Sequence, residues 1–299
     1  MAKGVLDWRG MRAGIRVKYI IYITYASEKC TPQSFFFIFQ ISIRRSGICT
    51  NSGLIDVQTG MLRFSGLQQT AGELRIAAGA EARFNSGPIS LITGGVISGN
   101  GTLRGVAPGT LGGTLRPGTS AGTLTLRRSF ASLEFAATSH IEIEIGGTVA
   151  GTQHDQLLLV DDSNFPLGGT VDVRFINGFV PSLGQVFSVI RYTPGRVGSF
   201  SSFTGLASSP GVLLVPRYTS TSLDLVVAKD PSLTAVSVSP ISFTLSYLAS
   251  TGFNFQIEAS TNLAIWTPLG PIVIGDGLTK EPTDPILGIS ARFYRLRVE

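Results

Sequence analysis

The stretch GGVISGNGTLRG, residues Gly94 to Gly105, contains two short units that each begin with a glycine. In GTLRG, Leu103 stands between Thr102 and Arg104, so an extended backbone places the leucine on one face and the two polar side chains on the other. Glycine at the ends supplies backbone angles that tight turns need and that bulkier residues resist. The stretch therefore predicts short β-strands separated by tight turns.

Related units recur on both sides of this stretch, each an alternating segment of a few residues after a glycine. They begin at Gly53, Gly60, Gly72, Gly95, Gly101, Gly109, Gly113 and Gly122. Strands this short are not stable alone, so we expect successive units to stack and bury one continuous apolar column, as in solenoid proteins.

Longer alternating strands are predicted downstream, where they are expected to close or cap the solenoid, because an open end would expose its core and its strand edges. They run from His140 to Ile145, Gln156 to Val160, Thr170 to Phe175, Val186 to Tyr192 and Ser222 to Val227. The composition agrees with an all-β chain: 36 glycines, 14% charged residues and 43% hydrophobic residues suit many short strands and turns better than helices.

The positive charge of the chain is confined to its beginning. Residues 1–50 carry eight basic and two acidic side chains, a net charge of +6, which leaves −1 for the other 249 residues out of a total of +5. The body therefore gives no electrostatic argument for nucleic-acid binding. Both cysteines, Cys30 and Cys49, also lie in this segment.

Residues 1–50 are predicted to lie outside the fold, as either an atypical leader or a non-native extension. The apolar run from Tyr19 to Tyr25 imitates a signal peptide, but Glu28 and Lys29 follow it and no small-residue cleavage site does. The second apolar run, Phe35 to Ile43, is too short to span a bilayer as a helix. No integral membrane span is expected.

Four stretches of the chain together resemble the autotransporter-associated β-strand repeats of bacterial surface proteins. They are GGVISGNGTLRG (Gly94 to Gly105), RPGTSAGTLTL (Arg116 to Leu126), GTVAGTQHDQLLLV (Gly147 to Val160) and LGGTVDVRFINGFVPSLGQVFSVI (Leu167 to Ile190). The resemblance implies a right-handed parallel β-helix over residues 51–228 and a place at the cell surface or outside the cell.

Residues 229–299 are predicted to form a separate small β module after the linker Lys229 to Ser232. Strand-like runs extend from Ser242 to Tyr247, Asn254 to Ala259, Ile272 to Ile274 and Arg292 to Val298. The segments FQIEASTNLAIWTPLG and ARFYRLRV resemble a short β-sandwich-type module at the ends of secreted bacterial proteins. Trp266 within it is interpreted as a core anchor, with sugar stacking as the alternative.

Two glycine motifs imitate known catalytic or nucleotide-binding signatures. GTSAG, with Ser120 at its centre, matches the serine-hydrolase elbow, which requires a helix after the serine. Gly99, Gly101 and Gly105 imitate a phosphate-binding loop, which also requires a helix. Strand-like sequence follows GTSAG, so it is interpreted as a turn. No helix follows the second motif either, so a nucleotide-binding loop is rejected.

The strand HIEIEI places His140, Glu142 and Glu144 on one face, with the two carboxylates about 7 Å apart. That spacing is compatible with acid/base chemistry on a glycoside or with Ca²⁺. The alternating isoleucines at 141, 143 and 145 explain the same pattern as a solvated face opposite a core face.

His154, Asp155, Asp161 and Asp162 form the other acidic and histidine cluster. Adjacent strand residues point to opposite faces, so His154 and Asp155 are badly placed to share a ligand. In the resembling family a histidine-aspartate pair here serves the turn. No ligand spacing for zinc or calcium is present, so we predict no metal, no cofactor and no catalytic residue.

These observations predict a non-catalytic structural or adhesive protein, secreted or at the cell surface, whose partner is an extracellular polysaccharide or cell-surface matrix. The first alternative is a polysaccharide-active enzyme related to pectin lyases, with Glu142, Glu144, Asp172 and Arg174 as its candidate residues. The second is a carbohydrate-binding accessory protein acting through Trp266.

Overall fold

The computed structural model describes residues 35–37, 48–64, 66–84, 89–91, 94–105, 109–128, 133–160, 164–209, 212–229, 231–250 and 253–298. Every regular element in these ranges is a β-strand, numbered here β1 to β32 along the chain. The predicted all-β class is therefore confirmed. Most of the predicted leader or extension, residues 1–50, lies outside the described residues, but Phe35–Phe37 and the residues from Ile48 to Thr50 belong to paired strands, contrary to the expectation for this segment.

The chain divides into two compact units. The first contains the described residues up to Phe179, together with Phe187–Gly205 and Tyr218–Asp224, and the second contains Val180–Val186, Leu206–Arg217 and Leu225–Glu299. All of the predicted C-terminal module, residues 229–299, belongs to the second unit, which also includes earlier segments. The predicted boundary after residue 228 stays a prediction.

Eight strands of the first unit form a parallel first sheet, in which neighbours from β3 onward are three strands apart along the chain. Its strands in order are β1 (Phe35–Phe37), β3 (Leu54–Val57), β6 (Glu73–Ile76), β9 (Val96–Gly99), β12 (Thr114–Pro117), β15 (His140–Ile145), β18 (Thr170–Phe175) and β21 (Ser202–Thr204).

The second sheet of this unit follows the same rule. Its parallel strands are β4 (Met61–Phe64), β7 (Glu81–Phe84), β10 (Thr102–Gly105), β13 (Thr123–Arg128), β16 (Gln156–Val160) and β19 (Val186–Thr193), of which Val186 is assigned to the second unit. The parallel third sheet contains β2 (Ile48–Asn51), β5 (Gly66–Gln69), β8 (Ile89–Leu91), β11 (Gly109–Leu111) and β14 (Leu133–Phe135). Later, β17 (Phe165–Pro166) and β20 (Arg196–Val197) pair in parallel.

From β2 to β16 the chain visits the third, first and second sheets in that order and then returns to the third. Each strand therefore pairs with the strand one cycle later. The interval between neighbouring residues of successive cycles is 19 residues at Asn51 and Thr70 and 32 residues at Thr170 and Ser202. The cycles thus differ in length, while the pairing remains parallel.

Buried residues of successive strands face one another in register. On the first sheet the aligned buried residues are Ile55, Leu74, Ile97, Leu115, Ile141 and Val171. On the second sheet they are Leu62, Ala82, Leu103, Leu126, Leu159 and Tyr192. Each fully buried leucine or isoleucine contributes roughly 1.5–3 kcal/mol, so these columns supply the apolar core of the first unit.

The strands that lie wholly or largely in the second unit include antiparallel pairs, such as β25 with β26 and β27 with β32. Their bounds are β22 (Ala207–Ser209), β23 (Val212–Tyr218), β24 (Ser222–Lys229), β25 (Thr234–Val238), β26 (Ser242–Ala249), β27 (Asn254–Ser260), β28 (Thr267–Pro268), β29 (Val273–Ile274), β30 (Leu278–Lys280), β31 (Thr283–Pro285) and β32 (Phe293–Val298).

The second unit has its own apolar core. Tyr247 and Phe255 pack with ring centroids 5.6 Å apart, and Phe243 stacks on Tyr294 at 5.0 Å. The buried members of this cluster are Val215, Val226, Ala228, Leu245, Tyr247, Ala249, Phe253, Phe255 and Ile257. A core of this kind is what an independently packed β module requires.

One glycine of the quoted stretch meets two requirements at once. Gly99 has a φ of +107°, outside the range that L side chains adopt readily. It also pairs in register with Ile76 of the preceding cycle, and a β-carbon at Gly99 would overlap the carbonyl oxygen of Ile76. Both the turn and the close approach of two cycles therefore depend on glycine here.

We predict that Gly99→Ala lowers the free energy of unfolding by roughly 2–5 kcal/mol, because backbone strain and steric overlap add together. Gly79→Ala is the matched control: its φ is +76°, but no atom lies within 4 Å of the added β-carbon. The control should cost only about 1–2 kcal/mol. Chemical denaturation of both variants measures the difference, and equal losses would contradict the close approach at Gly99.

Candidate functional site

The charged residues singled out from the sequence lie on the outer face of the first sheet. Along β15 the isoleucines are buried, while His140, Glu142 and Glu144 alternate with them on the opposite side. In register with this strand, Asp172 pairs with Glu142 and Arg174 pairs with Glu144. The structure therefore brings all four candidate residues of the enzyme hypothesis together on one face.

Glu142 is held by arginines from the strands on both sides. Arg116 Nε donates a hydrogen bond of 2.8 Å to Glu142 Oε2, and Arg174 Nη2 lies 3.7 Å from Glu142 Oε1. The hydrogen bond to Glu142 raises the pKa of Arg116 above its ordinary value. The carboxylate is mostly buried, and its two oxygens are each engaged by a guanidinium.

Asp172 is bound in a similar way by neighbours on both sides. His140 Nδ1 lies 2.7 Å from Asp172 Oδ2, and Thr204 Oγ1 donates a hydrogen bond of 2.6 Å to Asp172 Oδ1. Two of the carboxylates proposed for acid/base work therefore already have partners within their own sheet.

The same pattern continues toward the start of the sheet. Arg75 lies 2.8 Å from Glu73 and 4.0 Å from Asp56, and Ser98 donates a hydrogen bond to Glu73. Arg75 thus links carboxylates on its own strand and on the preceding strand. The outer face of the first sheet is a mixed-charge surface whose arginines have acidic partners.

His154 and Asp155 are both buried, and each serves its own part of the backbone. His154 Nδ1 lies 3.1 Å from the carbonyl oxygen of Gly147, and the imidazole packs edge-on against Phe187 at 5.5 Å. Burial lowers the pKa of this histidine. The two side chains have different partners, since His154 contacts the Gly147 carbonyl and Asp155 binds backbone N–H groups elsewhere.

Asp155 joins two strands through backbone hydrogen bonds. Its carboxylate oxygens accept hydrogen bonds of 2.8 Å from the backbone N–H groups of Gly122 and Glu144. Burial raises the pKa of Asp155 to about 7, although these two donors favour the charged form and act in the opposite direction. Its place at the turn before β16 identifies a positioning role for the backbone.

The GTSAG motif lies in a turn, as predicted, whereas Gly99 and Gly105 of the other motif are strand residues. Gly118 has a φ of +77° directly after β12, and Ser120 is exposed in the turn before β13. Gly101 precedes strand β10, and Gly105 ends it. Neither motif is followed by a helix in the described residues.

Within the described ranges, no group of three or more His, Cys, Asp or Glu side chains is arranged to hold a metal ion. Asp161 and Asp162, part of one sequence cluster, lie outside the described residues. No helix in the described part of the chain is long and apolar enough to cross a bilayer.

Trp266 is half-buried at the edge of the second unit, and it is not a member of the buried core cluster. The guanidinium of Arg295 lies over the indole ring, 4.4 Å from its centroid. The indole Nε1 of Trp266 donates a hydrogen bond to the carbonyl oxygen of Leu263. Sugar stacking needs an open ring face, and the Arg295 guanidinium already covers one face. The prediction that Trp266 is a buried core anchor is therefore wrong, because the side chain is only half-buried and lies outside the core cluster.

A row of arginines on the second sheet is not among the residues predicted from the sequence. Arg63, Arg83, Arg104 and Arg127 occupy consecutive register positions on β4, β7, β10 and β13. Each follows a buried leucine or alanine in its strand, which places it on the outer face. Their repeated position after an apolar residue is a signal that the sequence does contain, but only strand pairing shows that they are neighbours.

No protein-family model and no curated protein matches this chain.

We predict that Asp155→Asn removes a pH dependence of stability. A carboxyl whose folded pKa of about 7 exceeds its unfolded pKa stabilises the fold fully below the unfolded pKa of 3.8, and this stabilisation is lost as the pH rises through 7. The asparagine variant should also be less stable by roughly 1–3 kcal/mol, because its amide nitrogen would face a backbone donor.

The measurement is the free energy of unfolding of the wild type and the variant at several values of pH between 4 and 8. The wild-type value should fall relative to the variant by up to about 1.4 kcal/mol per pH unit. Asp172→Asn makes the same chemical change on the outer face of the first sheet. This control variant should keep the pH dependence of unfolding free energy that Asp155 produces. Parallel pH profiles for the wild type and Asp155→Asn would contradict the assignment.

Proposed function

We propose that residues 51–228 form a right-handed parallel β-helix with a capping β region, and that residues 229–299 form a small β-sandwich-like module. The cycle through three parallel sheets supports the first part, because a chain that returns to the same sheets in the same order advances by about one strand spacing per cycle. The antiparallel pairs support the second part, as does an apolar core most of whose buried members lie beyond residue 228.

The chain acts as a non-catalytic structural or adhesive protein that is secreted or displayed at the cell surface. One observation carries this proposal: the outer face of the first sheet neutralises its own charges, with Glu142 held at 2.8 Å by Arg116 and Asp172 held at 2.7 Å by His140. A general acid or base needs a carboxyl that is free to exchange a proton with a substrate. Engaged carboxylates on a strand face instead suit a stable outer wall.

The resemblance to autotransporter-associated repeats agrees with this role and with an extracellular location. Stacked short strands with buried columns provide length and rigidity at low charge, which suits a surface spacer or adhesin. The expected partner is then an extracellular polysaccharide or matrix that contacts an outer face.

A polysaccharide-active enzyme is the second candidate, favoured by one observation. Glu142, Glu144, Asp172 and Arg174 lie on adjacent strands in register. In this candidate Glu144 is the group to examine first, because its carboxylate makes no hydrogen bond or ion pair within the described residues, whereas Glu142 and Asp172 do.

We predict that the natural protein fractionates with the cell surface or the medium and releases no product from plant or algal polysaccharides. Fractionation with N-terminal sequencing of the natural protein measures the first expectation, and reducing-end assays on a polysaccharide panel measure the second. A cytosolic location would contradict the proposal.

If any product forms, the double variant Glu142→Gln/Glu144→Gln separates the two candidates. Loss of product formation in this variant would establish the enzyme. Unchanged activity in the variant would assign the product to a contaminating enzyme and leave the non-catalytic role in place.

A further inference from the structure

The second sheet carries a row of four arginines with one guanidinium per strand. Arg63, Arg83, Arg104 and Arg127 are consecutive Cα partners across β4, β7, β10 and β13. Neighbouring strands in a sheet lie about 4.8 Å apart. The row therefore presents positive charges at regular intervals of one strand along the direction in which the cycles stack.

This row lacks the acidic partners that the first sheet provides. Among the described residues, none of the four guanidinium groups forms a salt bridge with a carboxylate, whereas Arg75, Arg116 and Arg174 on the first sheet all do. The parallel row beside it contains one carboxylate, Glu81, followed by Thr102, Thr125 and Leu158 in register.

Two members of the row have unsatisfied polar atoms. The Nε atoms of Arg83 and Arg104 are buried from solvent and have no hydrogen-bond partner. The same is true of one carboxylate oxygen of Glu81. Buried polar groups in proteins usually have partners. Like charges in neighbouring strands also repel, at roughly 0.2–1 kcal/mol per pair. An anion lying along the row would offer acceptors to the two arginine nitrogens and reduce the repulsion between the arginines, whereas it would leave the Glu81 oxygen without a donor.

We propose that Arg63, Arg83, Arg104 and Arg127 form a binding face for a linear acidic polysaccharide. Guanidinium groups bind carboxylate and sulfate in a bidentate way, so a polymer with one anionic group on each sugar can engage consecutive arginines. The inference deepens the proposed function, because it rests on an extracellular protein whose partner is a polysaccharide and names the charge class of that partner.

The chemistry of this face favours a polysaccharide over a nucleic acid. Proteins that bind single strands without sequence preference stack the bases on aromatic side chains, and no aromatic ring occurs among the arginines or in the adjacent row from Met61 to Leu158.

The test is affinity electrophoresis and calorimetry of the purified full-length chain at low salt with four probes: polygalacturonate, dextran sulfate, neutral dextran and poly(dT). We expect binding to polygalacturonate, to dextran sulfate or to both, which identifies the preferred anion, and no binding to neutral dextran. Raising the salt concentration should weaken the binding, because exposed charges are screened.

Variants locate the site on the arginine row. Arg83→Gln/Arg104→Gln should weaken binding about tenfold, equivalent to about 1.4 kcal/mol, and Arg83→Lys/Arg104→Lys should weaken it less, because the charge stays and the bidentate geometry is lost. Lys229→Gln/Lys280→Gln removes the same number of positive charges away from the row and should leave binding unchanged. Circular dichroism verifies that each variant folds, and the lysine variant decides the matter if the glutamine variant does not fold.

Three outcomes would overturn the inference: no binding to either acidic polysaccharide, tighter binding to poly(dT) than to both, or equal weakening in the arginine variant and the Lys229/Lys280 control. These results are independent of the tests of the proposed function. A cytosolic protein that still binds acidic polysaccharide through this row would refute the extracellular role alone, and a surface protein that binds neither polymer would refute the arginine site alone.

Discussion

Backbone hydrogen bonding between strands one cycle apart is the constraint on which the first unit depends. Most of its strands are only three to six residues long, and isolated strands of that length do not persist in water. Parallel pairing satisfies their N–H and C=O groups and aligns their buried residues at the same time. Ile97, for example, lies in register between Leu74 and Leu115, so the same pairing that completes the backbone hydrogen bonds builds the apolar column.

The pairing also decides the chemistry of the outer faces. Because alternate residues of each strand point outward, every outward residue acquires two neighbours from other cycles. On the first sheet this places Arg116 beside Glu142 and His140 near Asp172, and the charges compensate one another. On the second sheet the same geometry aligns Arg63, Arg83, Arg104 and Arg127. The two faces therefore differ in charge because register brings together different outward side chains on each sheet.

Strand positions were predictable because alternation of apolar and polar residues is a local signal. The strands from His140 to Ile145 and from Thr170 to Phe175 occur with the predicted bounds. Others differ at their ends: β24 continues to Lys229 beyond the predicted Val227, and β32 begins at Phe293 where Arg292 was predicted. Pairing with a neighbour determines where a strand ends, and no local pattern records it. Trp266 illustrates the same limit, since its distance from the core depends on the packing of the whole module.

By itself, the sequence determined the all-β class, the alternation that buries residues such as Leu103, and the need for glycine at close turns such as Gly99. Only the tertiary structure decided which outward residues become neighbours. Partner residues of the parallel strands lie from 18 to 33 positions apart along the chain, and the turns between the strands differ in length. Register between them follows from backbone hydrogen bonds and core packing, which do not depend on the identity of the outward side chains. For this reason a body with a net charge of −1 can still assemble a row of four arginines on one sheet.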